Sequence, residues 1–203
     1  MHRRSTVFAC ALVASGATAA VATLAAIASP PGTPAPPATL PAHIIRPFPH
    51  TAKLGTAVRS SNLSQRVFVS SKIGFALGAV GEAQYPAETT DGGASWKTFG
   101  PALHVNAAQA PLSVTAVGAV NRRVVYFYGS GQAVDVTSDG GKHWYRALAP
   151  ELSLAVVPGA PGRLVWIVQD GVGSSGNAAV TWQYVSTDGG RLWRYSTALG
   201  GGA

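Results

Sequence analysis

The side chains able to do chemistry are few in this chain, and most are committed elsewhere. Of the eight acidic residues among 203, Asp91, Asp139 and Asp188 each open an Asp-Gly-Gly tripeptide, where a short carboxylate bonds the backbone of the turn it starts. The remaining five, Glu82, Glu88, Asp135, Glu151 and Asp170, are scattered along the sequence. Acid–base work by paired carboxyl groups would need two of these brought together by the fold. His43, His50, His104 and His143 lack the close spacing of metal ligands. No glycine-rich phosphate loop follows a strand and opens a helix, and no nucleophile elbow is present. The expectation is a protein with no catalytic group, no metal and no cofactor.

The elements that must position these residues are announced by an octapeptide spelled three times. Thr89-Thr90-Asp91-Gly92-Gly93-Ala94-Ser95-Trp96, Thr137-Ser138-Asp139-Gly140-Gly141-Lys142-His143-Trp144 and Ser186-Thr187-Asp188-Gly189-Gly190-Arg191-Leu192-Trp193 share a frame of hydroxyl, any, Asp, Gly, Gly, any, any, Trp. Their aspartates lie 48 and 49 residues apart, and self-similarity at such a period marks a repeat architecture. Glycines that reach positive φ, flanked by β-prone residues, make a hairpin corner. The tryptophan that follows supplies a large apolar ring to a shared core. Asp91, Gly93, Trp96, Asp139, Gly141, Trp144, Asp188, Gly190 and Trp193 are therefore read as structural.

Alternation and turn residues split each repeat into four strands. They are expected at 66–70, 74–80, 84–89 and 95–99, then at 112–117, 123–128, 133–137 and 143–148, then at 152–157, 163–168, 179–186 and 192–197. The second strands are apolar at consecutive positions, as in Leu164-Val165-Trp166-Ile167-Val168, which fits sheets covered on both faces.

With these residues in view, the octapeptides resemble the Asp-box, or bacterial neuraminidase repeat, of sialidases, sortilin-type receptors and photosystem II assembly factors, over about residues 64 to 197. The resemblance implies an all-β, β-propeller-like fold of three four-stranded antiparallel blades, each box joining a blade's third and fourth strands. Three blades fall short of the four to eight of a closed propeller. Either residues 43 to 63 cap an edge of an incomplete monomer, or two chains pair as a homodimer into a six-bladed ring. Sialidases also carry a tyrosine nucleophile, an arginine triad and an Arg-Ile-Pro motif. Here Ile45-Arg46-Pro47 has those residues in another order, so the role is not carried over.

The N-terminus sets the compartment. Residues 1–28 combine basic His2, Arg3 and Arg4 with an apolar run from Val7 to Ile27 and a small-residue site at Ala26-Ile27-Ala28, the anatomy of an export signal. Removal after Ala28 would leave a chain without cysteine, secreted or envelope-associated. An uncleaved segment would instead anchor it, since about 20 apolar residues span a bilayer, and only then would the protein contact a membrane. Residues 29–63 begin as a Pro/Ala-rich spacer, with a candidate edge strand at Ile44, Ile45 and Phe48, and residues 64–203 hold the repeats.

Antiparallel meanders place the boxes and the first-to-second turns on one face. The opposite face carries loops with Glu82, His104, Gln132, Asp170 and Asn177, the candidate ligand contacts, because loops on a rigid scaffold are where function is placed. A second candidate is a basic box face carrying Arg122, Arg123, Lys142 and Arg191. Loss of Arg3 and Arg4 from the fifteen Lys and Arg leaves thirteen against eight acids, a net charge of +5, suited to an acidic partner. Nucleic acid is not expected outside the cytoplasm. Two functions follow: a non-enzymatic interaction module holding a protein or glycan partner, or a degenerate sialidase-like glycoside hydrolase relative that retains carbohydrate binding.

Overall fold

A computed structural model of the chain describes residues 35–105, 107–169 and 181–196, the side chains of 107 and 108 excepted. The export segment and residues 29–34, together with Asp170 and Asn177, lie outside the described residues. Among those described there is no α-helix, and the chain is all-β. No described helix is long and apolar enough to cross a membrane.

Fourteen strands run in chain order. They are β1 (Thr39–Pro41), β2 (His43–Ile44), β3 (Leu63–Phe68), β4 (Gly74–Val80), β5 (Ala83–Thr89), β6 (Lys97–Thr98), β7 (Ala116–Ala119), β8 (Val125–Tyr128), β9 (Ala133–Thr137), β10 (Tyr145–Leu148), β11 (Leu152–Pro158), β12 (Leu164–Gln169), β13 (Thr181–Ser186) and β14 (Leu192–Tyr195). They form three antiparallel sheets, in the orders β3-β4-β5-β6, β7-β8-β9-β10-β2 and β11-β12-β13-β14-β1. Each repeat is thus a four-stranded meander, as expected. The second and third sheets gain a fifth strand from the N-terminal segment, outside the repeats.

That segment bears out an edge strand at Ile44 but not at Ile45 or Phe48, and it adds a strand within the Pro/Ala-rich stretch. Thr39, Leu40 and Pro41 pair with Arg194, Trp193 and Leu192, and His43 and Ile44 pair with Arg146 and Tyr145. Further on, Ala57 bridges Lys97, with Val58 N–H donating to the Trp96 carbonyl at 2.9 Å. Residues 39–58 therefore run as a strap along the outer strand of all three sheets. The physical reason is edge protection: β6, β10 and β14 would otherwise present unpaired N–H and C=O groups.

The octapeptides build one hydrogen-bonded cage three times. In the first, the Thr89 hydroxyl donates to Asp91 Oδ1 (2.7 Å) and accepts from Gly93 N–H (2.9 Å), while Asp91 Oδ1 accepts from Ser95 N–H (2.9 Å). Thr137, Asp139, Gly141 and His143 repeat these bonds, as do Ser186, Asp188, Gly190 and Leu192. The three hydroxyl residues are buried, so each cage satisfies a polar group that would be costly to leave unpaired. The fourth strand starts two residues after the expected position in the first two repeats, at Lys97 and Tyr145. In the third, β1 pairs from Leu192 onward and the strand begins there. The expected strand at 112–117 is also displaced: a 3-10 turn over Ala107–Leu112 with Pro111 inside precedes β7.

All three octapeptide tryptophans are 2% exposed or less, and the second and third pack against the sheet that precedes their own. Trp193 packs with Trp166 and Tyr184 against Val134 and Val136 of the second sheet, and Trp144 packs with Phe75, Leu77 and Phe127 between the first and second. Trp96 has no preceding sheet. Its place is taken by Val58 and Leu63, which join it in a small cluster with Ala76 and Ala87, while Phe68 meets the indole edge-on at 6.0 Å. The chain's own N-terminal segment thus covers the outer face of the first blade.

The second glycine of an octapeptide is also a point of contact between blades. Gly141 has φ +85°, and a Cβ there would lie 2.8 Å from the carbonyl oxygen of Phe99 in the first sheet's outer strand region. Gly140, at φ +79°, has open space around it. Gly140→Ala is expected to cost about 1 kcal/mol, the left-handed penalty alone. Gly141→Ala adds a backbone clash and is expected to cost about 2–4 kcal/mol, read as the difference in urea midpoints at unchanged slope.

Candidate functional site

The box-like face between the first two blades carries a groove that four local structures assemble. The β7–β8 turn presents Arg122 and Arg123, and Asn121 Oδ1 fixes it by accepting from the N–H groups of Arg123 (2.8 Å) and Val124 (3.1 Å). Gly140 N–H donates to the Arg123 carbonyl at 3.1 Å, which ties that turn to the second octapeptide and to Lys142. Across from them, β6 contributes Lys97, and the strap contributes Leu54 and Gly55, anchored by Gly55 N–H donating to the Thr98 carbonyl at 2.9 Å. Together they enclose about 460 Å³. A second cavity of about 580 Å³ opens beneath the strap between Ile44 and Leu54, floored by Pro101 and Trp144. Leu54, Gly141 and Lys142 border both.

Four cations, Lys97, Arg122, Arg123 and Lys142, and one carboxylate, Glu88, line this groove. Arg122 Nε meets Glu88 Oε1 at 3.0 Å. Among the described residues the other ion pairs are His143–Asp139 and Arg146–Asp135, so Lys97, Arg123 and Lys142 are exposed cations without a carboxylate partner. Arg191, grouped with them on sequence grounds, lies apart, stacked over the Tyr145 ring at 5.1 Å.

The opposite face does not converge in the same way. Glu82 is exposed in the β4–β5 turn. Gln132 is a structural tie, its Nε2 donating to the Pro150 carbonyl at 2.7 Å. His104 accepts from Gln84 N–H through its carbonyl, and burial followed by the charge of Arg146 lowers its pKa, keeping the ring neutral. Among the described residues no hydrogen bond joins Glu82, His104 and Gln132, and Asp170 and Asn177 are outside them. The strap wall at Leu54 and the cation Lys97 were not singled out from the sequence. No local signal marks them, since they reach the groove through long-range pairing.

Among the described residues, Asp135, Tyr126 and Tyr184 are occupied or poorly tuned for hydrolysis. Asp135 is fully buried and bound by Arg146 Nε and Nη2, both at 2.6 Å; burial pushes its carboxyl up against the pull of that guanidinium. Burial, then Tyr128, pushes the Tyr126 phenol up to about 12, and burial, then Tyr195, does the same to Tyr184, the opposite of an activated nucleophile. Among the described residues no group of three His, Cys, Asp or Glu side chains could hold a metal ion.

The octapeptide carboxylates are tuned by their cages. The hydroxyl and N–H of Ser95, with the Thr89 hydroxyl, hold Asp91 well below the usual carboxylate range. For Asp139, burial acts upward but is outweighed by the His143 N–H and ring and by the Thr137 hydroxyl, which hold it at about 2. Both are lower in the folded chain than in the unfolded one. Their stabilisation is therefore complete above the unfolded value of 3.8 and is lost as pH falls toward 2. Thermal midpoints taken between about pH 6 and pH 2 should show wild type falling steeply in that window. Asp139→Asn should start lower and fall less.

No family model matches the chain, and no curated protein matches it. Among solved structures, one described as YCF48 bound to D1 peptide is similar at 20% identity and a TM-score of 0.47. The match covers 76% of this chain and 44% of the other, so this chain spans less than half of that one. A likeness of this depth assigns no function.

Proposed function

We propose that the chain is a non-enzymatic interaction module, working outside the cytoplasm, whose protein partner lies in the groove between the first two blades. One observation carries the reading: Lys97, Arg123 and Lys142, none with a carboxylate partner among the described residues, converge on a cavity walled by β6, two hydrogen-bonded turns and the strap. Surface cations placed singly stay solvated, whereas a concave cluster of one sign concentrates the opposite charge. Placement outside the cytoplasm rests on the basic start, apolar run and small-residue site of residues 1–28.

Co-purification from envelope extracts with site variants tests the module. A partner retained by wild type and by Glu82→Lys, but lost by the Arg123→Glu/Lys142→Glu double variant, is the expected result. Retention by that double variant, with loss on deleting residues 170–177, would move the site to the opposite face.

A further inference from the structure

We propose that the groove takes an extended acidic polypeptide segment bearing one large apolar side chain, an inference that rests on the groove being the partner site. The two cavities adjoin but differ in chemistry. The one beneath the strap is bordered by Ile44, Pro101, Trp144 and Leu54, with Ile44 56% and Leu54 71% exposed. Apolar side chains left this open beside a cavity of about 580 Å³ form a receptacle for a leucine- or phenylalanine-sized group. The adjoining cavity offers Lys97 of β6, Arg123 of the β7–β8 turn and Lys142 of the second octapeptide, three cations from three separate segments, which suits several carboxylates carried on one chain.

Lys142 borders both cavities, so the anchor residue and the first acidic residue must be close in sequence. Neither cavity alone selects a polypeptide; their adjacency does. A polyphosphate or sulfated polymer satisfies the cations and leaves the apolar receptacle unfilled. A flat anionic bilayer cannot reach the wall beneath the strap. Arg46 and Lys53 at the rim of the first cavity extend the positive field past the anchor and raise the association rate of an acidic chain.

The test is fluorescence anisotropy of a labelled peptide with one phenylalanine followed by a run of glutamates, titrated with the full described protein. Saturable binding that weakens with salt is expected. It should fall about tenfold or more, roughly the effect of 1.4 kcal/mol, for Arg123→Glu/Lys142→Glu and for a peptide with glycine in place of phenylalanine. Arg194→Glu, on the outer strand of the third blade, should bind as wild type. Arg123→Gln/Lys142→Gln, which only removes charge, should give a smaller loss in the same direction and guards against misfolding of the reversal variant. The proposal is overturned if the peptide does not bind, if the glycine peptide binds equally well, or if inorganic polyphosphate or phosphatidylglycerol vesicles bind and the peptide does not. Failure of the peptide while groove variants still lose the co-purified partner would reject the segment chemistry and leave the module standing. Capture indifferent to the groove would reject both.

Discussion

Replacing Arg146 with methionine is expected to destabilise the protein by about 3–5 kcal/mol, a large share of the 5–15 kcal/mol of a typical domain. Asp135 is 0% exposed, and its carboxylate is held by two 2.6 Å bonds from that guanidinium. Arg146 Nη2 also donates to the Leu103 carbonyl at 2.7 Å, so the same side chain links the second blade to the segment that leaves the first. Without it the carboxyl is buried with no counter-charge and must take up a proton to remain there. The deficit should therefore shrink as pH is lowered, because the folded variant then binds a proton more readily than the unfolded chain does. Asp135→Leu/Arg146→Met should recover most of the loss, since an apolar pair of similar volume leaves no charge stranded. Urea unfolding of the two single variants and the double variant gives the coupling directly. A cost below about 1 kcal/mol for Arg146→Met would mean that the pair is solvated and not at a blade junction.

Trp144→Ala is expected to cost about 3–5 kcal/mol and to do so by uncoupling two blades. The indole meets Phe99 edge-on at 5.7 Å and Phe127 at 5.8 Å, and its cluster joins Phe75 and Leu77 of the first sheet to Val125 and Phe127 of the second. A Cβ added at Gly100 would sit 2.4 Å from the indole nitrogen, so the ring is packed against backbone on the other side and no neighbour can collapse into the space. Amide exchange in β4 and β8 should accelerate together in this variant, with β12 less affected. Uniform acceleration across all three sheets would show that the blades unfold as one unit.

The parts of this fold that were legible in the sequence are those fixed by local chemistry. The octapeptides could be read because hydroxyl, aspartate and two glycines bond to one another within five residues, and the strands they join followed: the expected bounds of 74–80 and 133–137 are those of β4 and β9. The strap was legible only as a segment capping an edge, not in the strands that it pairs with. Leu40 and Pro41 in a proline-rich run carry no strand signal of their own, and become strand only because the edge of β14 is waiting for them. The same difference applies to the groove. Arg122, Arg123 and Lys142 could be placed on one face from topology, whereas Leu54 and Lys97 complete the walls only when residues 55–58 lie along β6. The expected contacts His104 and Gln132 were placed on the correct loops, but their backbone and side-chain groups serve the joins between strands.

Hydroxyl-radical footprinting of the tryptophans tests the central claim most directly, namely that every octapeptide is a corner whose indole is buried against the element before it. Oxidation followed by peptide mass spectrometry should find Trp96, Trp144 and Trp193 all protected in buffer and all reactive in urea. In Val58→Asp, only Trp96 should lose protection, since Val58 lies in the cluster of that indole and not in those of Trp144 and Trp193. Rapid oxidation of Trp96 in the wild-type chain, or protection unchanged by Val58→Asp, would contradict the account.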